Sequence, residues 1–199
     1  MNSTKLTILA VSTLLLLCGA ASAQRPGPQF RRPLACEPFE PRTKLEAIES
    51  RYERVVIKGF MEISRLALRG GELRVDVVEL KDVADSSRAT GIVFVLREAA
   101  ERPREERSFV DYDEVGQLLR ALETIGKVNE TVTKLTGFEA RYRTAGDLDI
   151  NVFRQSRTGN AASISCGICD RVTVLLTLDD LERLRGIILE GKTRLDEIK

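Results

Sequence analysis

Val110-Asp111-Tyr112-Asp113-Glu114-Val115 and Leu176-Thr177-Leu178-Asp179-Asp180-Leu181 stand 66 positions apart and share one pattern. Each ends an apolar, strand-like run and sets a capping residue, Asp111 or Thr177, ahead of an amphipathic segment. Three positions further on come Glu114 and Asp180, where a capping box wants its acid. Asp113 and Asp179 fall in the first helical turn, where the helix dipole favours negative charge. Val115, Leu118, Leu119, Leu122 and Ile125 then share one helical face, as do Leu181, Leu184, Ile188 and Leu195. The chain thus predicts two strand-to-helix junctions of the same design.

Upstream of the first junction the pattern is that of strands. Val55–Leu68 is apolar and β-branched, Arg69-Gly70-Gly71-Glu72 supplies a turn, and Leu73–Leu80 alternates in part. Gly91–Arg97 and Ser108–Tyr112 are two further strands, separated by a charged loop around Pro103. Upstream of the second junction, Asp147-Leu148-Asp149-Ile150-Asn151-Val152 echoes Glu72-Leu73-Arg74-Val75-Asp76-Val77 at an offset of 75. Gly137-Phe138 echoes Gly59-Phe60 at an offset of 78. The offsets shrink as loops shorten, while the order of elements holds.

The expected fold is α+β: two diverged β-β-β-β-α units, about 55–128 and 137–199, with mostly antiparallel sheet packed against two long helices. A short helix over about 44–53 precedes them, because Thr43-Lys44-Leu45-Glu46 is itself a capping box. Neither a four-stranded sheet nor one amphipathic helix covers its own apolar face. Residues 43–199 are therefore expected to form a single domain. The doubled strand-strand-strand-strand-helix order over about 55–199 is similar to that of the Whirly and PUR-type single-strand nucleic-acid-binding proteins. The similarity is one of topology and rests on no shared motif. It would imply a nucleic-acid-binding sheet, but such binding needs a basic groove with stacking aromatics. Aromatic residues make up 5% of this sequence, and no nucleic-acid partner is expected.

The opening decides the compartment. Met1–Lys5 carries one positive charge, Leu6–Leu17 is an apolar run, and Ala21-Ser22-Ala23 is a cleavage site. This is the three-part order of a signal peptide, 1–23, and the apolar run is shorter than the ~20 residues a membrane span needs. The bulky Leu17 before Cys18 departs from the small residue that precedes a lipidated cysteine. The expected product is an exported chain, periplasmic or secreted, with no transmembrane anchor. Removing 23 of the 199 residues leaves 176, and loss of Lys5 leaves 30 basic and 30 acidic side chains. A neutral protein implies no partner of strong opposite charge. A leader at 24–42 holds five of the six prolines and reads as extended.

Histidine is absent, which removes Ser-His and Cys-His catalysis and the commonest metal ligand. Cys166-Gly167-Ile168-Cys169 lies at an expected hairpin tip, not at the helix N-terminus that thiol redox chemistry uses. With Cys36 as the only further thiolate in the mature chain, no metal site and no cofactor are expected. A disulfide is expected instead: Cys166–Cys169, Cys36–Cys166 or Cys36–Cys169. For Asp111, Glu114, Thr177 and Asp180 the expected role is helix capping. No catalytic residue is assigned, and the leading expectation is a non-enzymatic binding or structural protein acting on a protein partner or by self-association. Two alternatives are a carboxylate-based hydrolase using Asp111, Asp113 and Glu114, and a thiol redox protein using Cys166 and Cys169.

Overall fold

The computed structural model describes residues 40–129, 131–155 and 159–199. The expected signal peptide and most of the leader, Cys36 included, lie outside them. The elements run α1 (Lys44–Glu49), β1 (Val56–Leu68), β2 (Gly71–Asp82), β3 (Arg88–Glu98), β4 (Glu105–Asp111), α2 (Tyr112–Gly126), β5 (Glu139–Arg143), β6 (Asp149–Gln155), β7 (Gly159–Cys166), β8 (Val172–Leu176) and α3 (Leu178–Ile198). The strands form two antiparallel sheets, ordered β1-β2-β3-β4 and β5-β6-β7-β8. This is an α+β fold with two four-stranded units, each followed by a long helix.

Strand periodicity distributes the side chains. In β2, Leu73, Val75 and Val77 point to one face, and Arg74, Asp76, Val78 and Leu80 to the other. The first set joins Ile92, Phe94 and Leu96 of β3 in a core shared with Ile150, Val152, Ile164 and Val174 of the second sheet. Val115, Leu118 and Leu122 of α2, with Leu181, Leu184 and Ile188 of α3, close that core. Complete burial of such side chains is worth about 1.5–3 kcal/mol each, so this layer dominates the fold. Leu73 and Leu148, Val75 and Ile150, and Leu118 and Leu184, which the expected repeat would pair, are all 0% exposed.

The far face of the first sheet carries a smaller core. There Leu45 and Ile48 of α1 pack on Val78, Leu80, Ala89, Val93 and Phe109. A six-residue helix cannot stand alone in water, so this contact and its caps hold α1 in place. Thr43 and Glu46 make the expected reciprocal box, Glu46 N–H donating to Thr43 Oγ1 at 3.0 Å. The helix ends at Glu49, short of residue 53, because the periodic partner Tyr52 finds nothing to pack on and is 91% exposed. At the β1–β2 turn Gly70 takes φ +95°, a conformation that favours glycine. Gly146 meets β4 so closely that a Cβ there would lie 2.1 Å from the Phe109 carbonyl oxygen. Ser108 Oγ donates to the Gly146 carbonyl across the same approach. Strand β4 starts at Glu105, three residues earlier than the sequence suggests, because Arg97 and Leu96 pair with Glu105 and Glu106 and draw the charged loop into the ladder. Among the described residues no helix is long and apolar enough to cross a membrane.

Candidate interaction surface

Because α1 covers only part of the outer face of the first sheet, the remainder is open. Lys58, Phe60 and Glu62 of β1, Arg74 and Asp76 of β2, and Val93 and Val95 of β3 line a groove of about 570 Å³ there. Its floor is aliphatic and its walls are charged. Phe60 stands 74% exposed at the rim. Lys58 Nζ pairs with Glu49 at 3.0 Å, and Arg107 reaches the same carboxylate at 3.3 Å while lying over the Phe109 ring. Arg65 pairs with Glu62 at 2.8 Å and with Glu72. The Arg65 hydrogen bond holds the Glu62 carboxyl below its ordinary pKa.

Asp76 is the unusual member. It is buried, and Arg74 bonds one of its oxygens at 3.0 Å. Its Oδ1 is shielded from solvent and has no hydrogen-bond partner among the described residues. A half-satisfied buried carboxylate is costly. It sits directly across the ladder from Glu62, so two acids stand side by side at the groove.

The β1 edge completes the surface. β1 is 13 residues long and, among the described residues, pairs with β2 on one side only. Ile57, Phe60 and Met61 are exposed along its first half, and Tyr52, Val55 and Val83 are exposed beside it. These are six of the eleven exposed large apolar side chains among the described residues, so the apolar surface is concentrated at this edge. The sequence predicts β1 as a strand and carries no signal for its edge position. A second groove of about 760 Å³ runs between α1, the 146–147 turn and the 167–170 hairpin tip. Glu106 touches both grooves, and burial with the nearby Asp170 charge raises its pKa.

The four capping positions divide. Thr177 and Asp180 form a reciprocal box at the start of α3. Asp111 occupies the N-cap position of α2 but makes no side-chain cap bond to it. Its carboxylate instead accepts from Lys44 N–H at 2.7 Å and Leu45 N–H at 3.1 Å, so it caps α1. Glu114 likewise leaves the expected box and accepts from Ala145 N–H at 3.0 Å. The physical reason is competition: both acids find orphan amides on neighbouring segments that a local box would leave unmet. Asp113 is exposed and ion-paired with Lys44 at 2.8 Å, which lowers its pKa. Burial raises the pKa of Glu114 against the opposing Ala145 hydrogen bond. All three acids are engaged in structural contacts, and neither groove is lined by any of them.

Cys166 ends β7 as a free, fully buried thiol whose pKa burial pushes far up. That corrects two of the three expected pairings, Cys166–Cys169 and Cys36–Cys166. The same burial removes the low-pKa thiolate that redox chemistry with Cys166 requires. Cys169 lies on the hairpin tip at the second groove. Among the described residues no cluster of three or more Cys, Asp or Glu side chains is arranged to hold a metal ion. Compared with known proteins, the chain matches no family model, no curated protein and no solved structure. The Whirly and PUR-type likeness therefore goes no further than the order of elements.

Proposed function

We propose that this is an exported, non-catalytic interaction protein that binds a protein partner along the β1 edge and the adjoining open face of the first sheet. One observation carries the reading: a 13-residue edge strand presents Ile57, Phe60 and Met61 to solvent beside an unfilled aliphatic groove. An exposed apolar edge is a template for an added strand, in which backbone groups give affinity and groove-facing side chains give specificity. The acids and thiols that could have supported chemistry are committed elsewhere. Asp111 and Glu114 hold backbone amides, and Cys166 is buried.

Export accounts for the 1–23 segment and for the thiols together. With Cys166 free and buried, the remaining pairing is Cys36–Cys169. Such a bridge would tether the proline-rich leader to the hairpin tip and close a loop of more than a hundred residues, worth ~4–5 kcal/mol in the chain-entropy view.

The test replaces Phe60 with a photoreactive phenylalanine analogue in cells that export the protein. The expected result is a discrete covalent adduct from position 60. The same probe at exposed Leu189 on α3 should give none. Equal labelling from both positions, or none from either, would overturn the reading.

A further inference from the structure

We propose that the occupant of the β1 edge is a second copy of this chain, two β1 strands pairing antiparallel about a twofold axis through Phe60. This rests on the reading of β1 as a docking edge and names what docks there. It joins two first sheets into one continuous eight-stranded sheet, with the two open grooves side by side.

A twofold interface must be complementary to itself, and β1 meets that condition about Phe60. Antiparallel pairing places Phe60 opposite its own copy and Lys58 opposite the partner's Glu62, twice over. Gly59 falls opposite the partner's Met61, so an exposed apolar side chain lies over the position that has none. The register shift between Glu62 and Ser64 limits the regular ladder to Lys58–Glu62. Five residues is an ordinary strand length.

The charges are placed to be exchanged. Within one chain Lys58 holds Glu49 and Glu62 holds Arg65. Glu49 also has Arg107, and Arg65 also has Glu72. Each present partner therefore keeps a counter-ion when Lys58 and Glu62 turn to the other copy. On the far side of Glu62 in the same row stands Asp76 with its unpartnered Oδ1. The partner's Lys58 brings a third cation to this pair of acids, which Arg74 and Arg65 serve from their own side.

Sedimentation equilibrium of the mature chain tests this directly. Wild type is expected to dimerise at micromolar concentration. Lys58→Glu and Glu62→Lys each set two like-charge pairs across the axis, and each is expected to raise the dimer dissociation constant about tenfold. The double variant Lys58→Glu/Glu62→Lys restores opposite charges and should return the constant to within about threefold of wild type. Both side chains are more than a third exposed, and an unchanged melting temperature shows that each variant folds. A Phe60→Cys chain should form an interchain disulfide on mild oxidation. A wild-type chain that stays monomeric at 100 µM, or a double variant as weak as the singles, overturns the proposal. Monomeric protein that still gives a position-60 adduct with another molecule sinks self-pairing and leaves the docking edge standing. Monomeric protein with no adduct sinks both.

Discussion

Replacing Asp111 with alanine should detach α1 and leave α2 intact. The carboxylate is nearly buried and accepts two amide hydrogen bonds, from Lys44 at 2.7 Å and Leu45 at 3.1 Å. A hydrogen bond to a charged group contributes about 1.5–3 kcal/mol. The Leu45 amide sits above a fully buried side chain and regains little from water, whereas the Lys44 amide is partly exposed. The expected cost is therefore nearer one such bond than two, about 2–3 kcal/mol. What then remains to hold α1 is its own Thr43–Glu46 box and the burial of Leu45 and Ile48. Hydrogen exchange followed by mass spectrometry reads the effect locally. Amides of residues 47–50 should exchange about a hundredfold faster, as each 1.4 kcal/mol is a factor of ten. Amides 116–122 in α2 should be unchanged. Asp111→Asn keeps one acceptor and should cost about half as much. The opposite pattern, faster exchange in α2 with α1 unaffected, would refute the assignment of Asp111 to α1 and restore its reading as a cap of its own helix.

Other consequences are as concrete. Cys166 should resist iodoacetamide at pH 8 in the native protein and react within minutes in denaturant, because it is fully buried with a raised pKa; rapid native labelling would count against its placement. In the oxidised mature protein, peptide mapping should recover a Cys36–Cys169 pair with Cys166 alkylated only after unfolding. Asp149 is buried between Arg141 and Arg171. Its burial works against the charge, but the two guanidiniums outweigh it and depress the pKa. A depressed folded pKa gives stability that is present above the unfolded value near 4 and is lost as pH falls through the folded value. Asp149→Asn should therefore lower stability by about 2 kcal/mol at pH 7, discounted from the 3–5 of a fully buried pair because both arginines are partly exposed. The gap to wild type should close toward pH 2, and a gap independent of pH would refute the charge argument. For Glu114 the sign reverses: its folded pKa is raised, so the ionised form costs stability above that pKa. Glu114→Gln, which keeps an acceptor for Ala145, should raise the melting temperature slightly at pH 7 and not at pH 3.5.

Most of the fold was legible in the sequence because periodicity reports which face is buried. Leu73, Val75 and Val77, and Leu148, Ile150 and Val152, all lie in the shared core. The helix stripes of α2 and α3 fall where 3.6-residue spacing puts them. Capping was legible only where it stayed local. Thr177 and Asp180 are three residues apart and find each other, whereas Asp111 reaches amides 67 and 66 positions away. No local pattern encodes that choice, since it depends on α1 folding back over the first sheet. The same limit applied to the surface. That β1 is a strand follows from its β-branched residues. That it is an edge, and that Phe60 therefore faces water and not a core, follows only from the order of strands.

The four sheet edges among the described residues differ in character. β5 and β8 are five residues each, and β5 reads Glu-Ala-Arg-Tyr-Arg. β4 is seven residues and opens with Glu105, Glu106 and Arg107. Charged edges such as β4 and β5 are how sheets keep foreign chains from pairing with them, whereas the uncharged β8 is met by Arg69, whose carbonyl accepts from Leu175 N–H at 3.0 Å. β1 has the opposite character over Val56–Met61: long, aliphatic and aromatic, with one lysine. A chain under no demand to bind there would be expected to blunt this edge with charge, as it does β4 and β5, or to cover it, as it does β8 at Leu175. Its single lysine and the acid that follows are spaced to answer each other across a twofold axis. A lone charge would repel every copy, but a lysine and a glutamate placed symmetrically about Phe60 discourage misregistered strands and admit one alignment. In the proposed pairing the charges on β1 select a partner, whereas those on β4 and β5 exclude partners.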